Sequence, residues 1–314
     1  MKLSEIVAYL NLLDALQVHE EASEATRKLA AVLHVVTNHA VQVNTCSQDL
    51  EQDFAAVKIA LGNFDATLTQ IKQRLTQLLH EQEPLYLAES FRLFDQEMRH
   101  DSVPYTLSRR LAIDAESDTA LRFRLKNLTD WRYPGMIIGP GTETFIEDLV
   151  PLDPLYVVDQ QPDLIAPSVQ KFTVEYQRRL RQYVVNDHVP QPILNQLPNS
   201  QFGLIFAYNY FNYRPMEVIC RYLQEIAAKL RPGGTFIMTY NNCDRAHGVG
   251  LAERSWMCYT PQRLIVAAAK SYGLELVSAH DAPGDVSWLE FVQSGDLETL
   301  RGGQSLAKII AIPQ

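Results

Sequence analysis

Apolar side chains recur along this chain at two different spacings, and the change from one to the other divides it. Ile6, Leu10 and Leu13 step by three to four residues behind Ser4, a candidate N-cap, which predicts a short amphipathic helix over 4–17. From Ala22 to Leu50 (Ala25, Leu29, Val32, Val36, His39, Val43 and Cys46 between) steps of three and four alternate. They do so again from Phe54 through Val57, Leu61, Phe64, Leu68, Ile71 and Leu75 to Leu78. These are two heptad seams of coiled-coil type, joined by a step of four where three is due, so the phase jumps between Leu50 and Phe54. The pattern fits one long helix with a stutter and equally two helices folded back near 44–49. No glycine or proline marks a turn there, whereas Thr45 with Gln48, or Ser47 beside Asp49, has the chemistry to cap a new helix. A continuous helix over 21–82 would be on the order of 90 Å long and would have to meet another chain. Pro84 is expected to end or kink the pattern, leaving 85–98 as a further short helix.

Between 99 and 134 the periodicity lapses into a connector rich in arginine and aromatics, with a helix expected over 118–128 and Trp131 as a packing aromatic at a junction. From 135 onward short apolar runs alternate with helical periods, as a parallel sheet with covering helices requires. The expected strands are Met136–Ile138, Tyr156–Val158, Tyr183–Val185, Phe202–Ala207, Thr235–Tyr240, Leu274–Ala279 and Leu306–Ile312. The expected helices are 167–182, 216–230, ended by the Pro232-Gly233-Gly234 turn, and a third from Pro261 to about Tyr272 behind Thr260 as N-cap. The stretch 287–304 receives no assignment. The domain reading is a helical oligomerisation or docking region over 1–100, a connector over 101–134 and an α/β domain over 135–314.

A length of 314 residues with 46% hydrophobic content is enough for two domains with a sizeable core. The net charge of −9 and pI near 5.4 disfavour a nucleic-acid partner that needs many phosphate contacts, and Arg178-Arg179-Leu180-Arg181 reads as the solvated face of a helix. The four cysteines lack Cys-x-x-Cys spacing, and His34 and His39 stand five apart rather than four, so neither a disulfide framework nor a metal site is expected. A reducing cytoplasm follows. No signal-peptide pattern and no run of 18 apolar residues is present, so neither secretion by that route nor a membrane span is expected.

The candidate chemistry lies where the first two strands end. Met136–Ile138 runs into Gly139-Pro140-Gly141, a turn that brings backbone close to a ligand, and Tyr156–Val158 ends in Asp159, about 20 residues past the glycines, where a carboxylate accepts hydrogen bonds from ribose hydroxyls. The third glycine of a dinucleotide fingerprint is absent at Thr144, and no P-loop is present. A cofactor with a ribose and an adenine but no phosphate, S-adenosylmethionine, fits what remains. With Leu230-Arg231-Pro232-Gly233-Gly234 in its later place, the chain over about 130–312 resembles the class I S-adenosylmethionine-dependent methyltransferases. The resemblance implies a Rossmann-like seven-stranded sheet whose last strand is antiparallel, behind the all-α coiled-coil region. It also implies cofactor contacts at Gly139, Pro140, Gly141, Asp159, Asp187, as the acid facing the adenine amino group, and Tyr208. Tyr208-Asn209-Tyr210-Phe211 lacks both prolines of the nucleobase amino-methylase motif, which argues against a DNA N-methylase.

Two functional readings follow. The first is methyl transfer to an unidentified oxygen or nitrogen acceptor, with Tyr208, Asn209, His247 and Arg254 as catalytic candidates. The segment 241–259, polar and glycine-bearing, reads as a substrate lid in which Asp244, Arg245, His247 and Arg254 position the acceptor or take a proton. The rival bland reading of that loop is a set of salt bridges that hold it together. The second function is assembly: residues 21–82 make a homo-oligomer or dock on a larger complex, and the methyltransferase-like fold has little or no activity. Ile137 and Glu143, standing where the family carries an acid and a glycine, favour this second reading. The Asp130-Trp131-Arg132-Tyr133-Pro134-Gly135 lead-in and the Asn241-Asn242-Cys243-Asp244-Arg245 loop also resemble methyltransferase-like proteins of tailed phages, which would make a virion component of the assembly form.

Overall fold

The computed structural model describes residues 2–18, 47–97, 113–140, 145–281 and 286–294. They divide into two compact units, Met1–Pro84 and Leu85–Gln314.

In the first unit, helix α1 (Leu3–Val18) buries Leu3, Ile6, Val7 and Leu13. It starts before Ser4: the Ile6 amide donates to the Lys2 carbonyl at 3.1 Å, and the Glu5 carboxylate accepts the Lys2 amide at 2.9 Å. Ser4 is therefore a first-turn residue, because Glu5 already reaches back over the helix end. Asp14 of α1 pairs with Lys72 of helix α2 (Ser47–Glu97) at 2.6 Å. The first seam as far as Cys46 lies outside the described residues, whereas the phase jump between Leu50 and Phe54 falls inside the continuous helix α2. Of the second seam, Ile71 is 45% exposed, but Leu75 is buried and Leu68 half-buried. The stripe is thus not left bare along its whole length. Helix α2 also continues through Pro84, so 85–97 is its last part rather than a separate helix. Its far side is held by packing of Ser90 and Phe94, which outweighs one lost helical hydrogen bond.

The second unit is built on a seven-stranded sheet in the order β3-β2-β1-β4-β5-β7-β6. The strands are β1 (Gly135–Ile138), β2 (Leu155–Asp159), β3 (Leu180–Val184), β4 (Phe202–Ala207), β5 (Leu230–Tyr240), β6 (Leu274–His280) and β7 (Ser287–Gln293). The pairs β3/β2, β2/β1, β1/β4 and β4/β5 are parallel, and β7 runs antiparallel to both β5 and β6. Period-two alternation feeds two cores. Met136, Ile138, Ile205, Phe236 and Met238 face helices α6 (Met216–Lys229) and α8 (Gln262–Ser271). Ile137, Val157, Leu204, Phe206 and Ile237 face helices α3 (Ala115–Leu128) and α4 (Pro162–Gln170). A sheet buried on both faces needs continuous apolar runs, which is why β1, β2 and β4 stand out in the sequence.

Several expectations change. The seventh strand is Ser287–Gln293, in the unassigned stretch, while Leu306–Ile312 lies outside the described residues. Glu290, in the middle of β7 and 1% exposed, is neutralised by Arg124 of α3, whose Nε donates at 2.7 Å in a bidentate pair. The helix expected over 167–182 stops at Gln170. A short helix α5 (Val174–Gln177) follows, and the basic run crosses into edge strand β3, where exposed Arg181 and Gln182 suit an unpaired edge. Pro232-Gly233-Gly234 is a bulge inside β5 rather than a turn before it: Gly233 has φ 65°, and a side chain at Gly234 would meet the Phe202 carbonyl at 2.5 Å. Helix α8 takes Pro261 as its N-cap, because the Thr260 hydroxyl is spent on the Asn241 carbonyl at 2.6 Å. The connector helix α3 forms as expected, capped by Asp114, while Trp131 is 73% exposed and packs on nothing extensive.

Candidate functional site

The carboxyl ends of the parallel strands bring the candidate cofactor residues together. Gly139 follows β1 with φ 72°, and its amide donates to the Val158 carbonyl of β2 at 2.9 Å, so the glycine turn and Asp159 stand side by side. Asp159 is 3% exposed, and its Oδ1 accepts the Gln161 amide at 3.1 Å, which sets the start of α4. The Ser168 hydroxyl of α4 donates to the Pro140 carbonyl at 3.0 Å and ties the turn down from the other side. Gly141 lies outside the described residues. The buried Oε1 of Gln161 has no hydrogen-bond partner among the described residues, leaving an acceptor next to the ribose-type acid.

Asp187 follows β3 and is fully buried. Its Oδ2 accepts from Arg214 Nε at 3.0 Å and from the hydroxyls of Tyr210 at 3.1 Å and Tyr222 at 3.4 Å, and its Oδ1 lies 2.9 Å from His188 Nε2. The Arg214 guanidinium carbon also sits 3.7 Å from the Tyr210 ring centroid. Burial pushes the Asp187 carboxyl up, but Arg214 and His188 outweigh it and hold it down at about 2. Burial raises both phenols well above their ordinary range, so Tyr210 and Tyr222 remain protonated donors. Gln160 lies 2.8 Å from His188 Nε2 and Phe94 of α2 stacks on the His188 ring at 4.4 Å, which closes the cluster from outside. The Asp187 Oδ1 atom, though 2.9 Å from His188 Nε2, is a buried acceptor without a hydrogen-bond partner among the described residues.

The substrate-side candidates separate. Asn209, at φ 49°, is buried and donates its amide to Thr239 Oγ1 at 2.6 Å, beside the cluster. Tyr208 points to the opposite core, 4.7 Å from the Phe145 ring in edge contact, as the two-residue alternation from Phe206 demands. His247 and Arg254 are exposed on and just after helix α7 (Ala246–Glu253), and Arg254 turns back to the Gly250 carbonyl. The segment 241–259 is tied down by polar contacts. Asn241 donates to the Gly248 and Cys258 carbonyls at 2.9 Å, Asp244 pairs with Arg263, Arg245 with Asp281, and the Tyr259 amide donates to Ser90 Oγ at 2.7 Å. The Asn241 bonds stay within the segment, while these ion pairs and the Tyr259 amide reach Arg263, Asp281 and Ser90 outside it. Arg214, Tyr210, Tyr222, His188 and Phe94 were not singled out from the sequence. The available signal was Tyr222, a phenol on the otherwise apolar face of α6 that requires a buried partner.

The strand order, with a single antiparallel strand between β5 and β6, defines the class I S-adenosylmethionine-dependent methyltransferase fold. Solved structures with this likeness include the geranyl diphosphate C-methyltransferase of Streptomyces coelicolor, at 9% identity over 57% of this chain and 81% of that one with a TM-score of 0.45. They also include an S-adenosylmethionine-dependent methyltransferase from Mesorhizobium loti, at 12% identity over 55% and 96% with a TM-score of 0.44. A third is the magnesium protoporphyrin IX methyltransferase of Synechocystis, at 13% identity over 57% and 79% with a TM-score of 0.42. No protein-family model and no curated protein matches the chain. Among the described residues no helix is long and apolar enough to cross a membrane, and no group of three His, Cys, Asp or Glu is placed to hold a metal ion.

Proposed function

We propose that the second unit binds S-adenosylmethionine at the ends of β1 and β2 and transfers its methyl group to an oxygen or nitrogen acceptor. The observation that carries this reading is the glycine turn with φ 72° beside the buried Asp159, on a sheet of this order. The Asp159 carboxylate accepts the ribose hydroxyls, the orphan Gln161 Oε1 lies next to them, and the Gly139 backbone approaches without a side chain in between. When bound, the cofactor supplies an electrophilic methyl on a sulfonium. The residues of the chain bind and align, which is most of what such a transfer asks of a protein. In titration calorimetry, S-adenosylmethionine or S-adenosylhomocysteine binds the wild type, and Asp159→Ala weakens binding by about 1.5–3 kcal/mol, the range for losing a charged hydrogen-bond acceptor. Absence of binding at millimolar ligand defeats the reading.

A second reading is an assembly module without turnover, favoured by Ile137 and Glu143 standing where the resembled family carries an acid and a glycine. On that reading, and also beside an active enzyme, the heptad segment 21–82 makes a homo-oligomer or a fixed part of a larger assembly.

A further inference from the structure

The last part of helix α2 is fastened at both ends of the candidate site. Tyr86, Ser90 and Phe94 are spaced by four and so share one face of the helix. At one end the Tyr86 hydroxyl donates to Glu253 at 3.2 Å, its ring lies 5.6 Å from that of Tyr259, and Ser90 Oγ accepts the Tyr259 amide at 2.7 Å, all in the segment that follows β5. At the other, the buried Phe94 ring stacks at 4.4 Å on His188, which follows β3. Both attachments lie beyond the carboxyl ends of parallel strands, so this stretch is a strap on the side of the sheet where the cofactor residues stand.

What Phe94 covers is the crossing between two acids. A ligand with its ribose on Asp159 and its base toward Asp187 spans the ends of β2 and β3, which are neighbours. Gln160 and His188, each the residue after one of those acids, meet across that gap at 2.8 Å, and two groups in hydrogen-bond contact leave no room for a ring between them. The Tyr210 ring bounds the cleft on the glycine side, since a side chain built at Gly139 would lie 2.7 Å from its Cδ2. Beneath the closed pair, Asp187 Oδ1 is a buried acceptor without a hydrogen-bond partner among the described residues. An acceptor left in that state costs free energy that a donor entering the cleft recovers, so the closed arrangement is one that a ligand can displace.

We infer that the end of α2 is an autoinhibitory strap: Phe94, seated on His188, keeps the Gln160–His188 pair shut over the base end of the cofactor cleft, and an adenine nucleoside enters only when Phe94 lifts. This rests on the cofactor reading above and adds what limits access to the site. A protein whose competent state is a minor fraction binds with an affinity reduced by that fraction, so emptying the seat tightens binding even though it removes packing. A ring that merely walled the bound ligand would act in the opposite sense, and its loss would weaken binding.

The full chain is titrated with S-adenosylhomocysteine as wild type, Phe94→Ala and Phe94→Leu. Phe94→Ala is expected to bind about fivefold or more tightly than the wild type and to associate faster in stopped flow, with Phe94→Leu, which fills part of the seat without stacking, between the two. Equal or weaker binding by Phe94→Ala overturns the strap and leaves the cofactor reading in place. Should Phe94→Ala not fold, Phe94→Leu against the wild type decides in the same sense. Amide hydrogen exchange on the wild type gives a second readout: saturating ligand speeds exchange over residues 91–95, and unchanged or slowed exchange there overturns the strap. Binding to neither the wild type nor a variant at millimolar ligand defeats the cofactor reading and the strap with it.

Discussion

A carboxylate removed from water costs several kcal/mol unless its charge is met, and at Asp187 it is met by Arg214, two phenols and an imidazole. Such a pair contributes stability with a definite pH dependence. The folded-state value of about 2 lies below the ordinary 3.8, so the contribution is complete above about pH 5 and is lost as the pH falls through the folded value. Denaturant unfolding between pH 5 and pH 2 is expected to show the wild type losing on the order of 2 kcal/mol more than Asp187→Asn over that interval. Parallel curves would mean that the pair is not formed. Asp159 was legible in the sequence, because a strand's last residue following an apolar run is placed by local alternation alone. Tyr208 obeys the same rule: alternation carries it with Phe206 to the core that holds Phe145.

At the scale of elements, β7 shows how a charge hides a strand. Between its polar ends Ser287 and Gln293 the strand is apolar except for Glu290, and that residue faces helix α3, where Arg124 is 11% exposed in its side chain. Breaking a buried pair from one side leaves the other charge uncompensated, so Glu290→Ala should destabilise the second unit by about 3–5 kcal/mol. The double variant Arg124→Met with Glu290→Leu should cost less than Glu290→Ala alone, since apolar groups of similar volume replace both charges. Calorimetric melting of Arg124→Met, Glu290→Leu and their double variant decides this, and additive losses would refute the pairing. Helix α2 makes the matching point at Pro84. Proline predicts an end to the helix when only local geometry counts, yet Ser90, bonded to the Tyr259 amide, and Phe94, stacked on His188, hold the residues beyond it in place.

For the whole molecule, the open question is association. Two seams of about four heptads each exceed what a solitary surface helix needs, and Ile71 is 45% exposed while Leu75 is buried. Light scattering on the full chain at micromolar concentration is expected to give an oligomer, and Leu61→Asp with Leu68→Asp is expected to dissociate it while S-adenosylhomocysteine binding persists. A monomeric wild type would sink self-association and leave a foreign partner for the segment. What the sequence by itself determined is the set of elements whose signal is local. These are the apolar runs of β1, β2 and β4, the amphipathic helices α1, α6 and α8, and the acid and glycine at two neighbouring strand ends. Strand order within an α/β sheet then follows from few topological choices, which is why this part of the fold could be read. Only the tertiary structure decided that Glu290 belongs in a strand, that Asp187 is turned inward, and that Tyr210 lies on Gly139. Each of these depends on a partner distant in sequence, and the energy of a buried charge or ring is set by what surrounds it rather than by its neighbours along the chain.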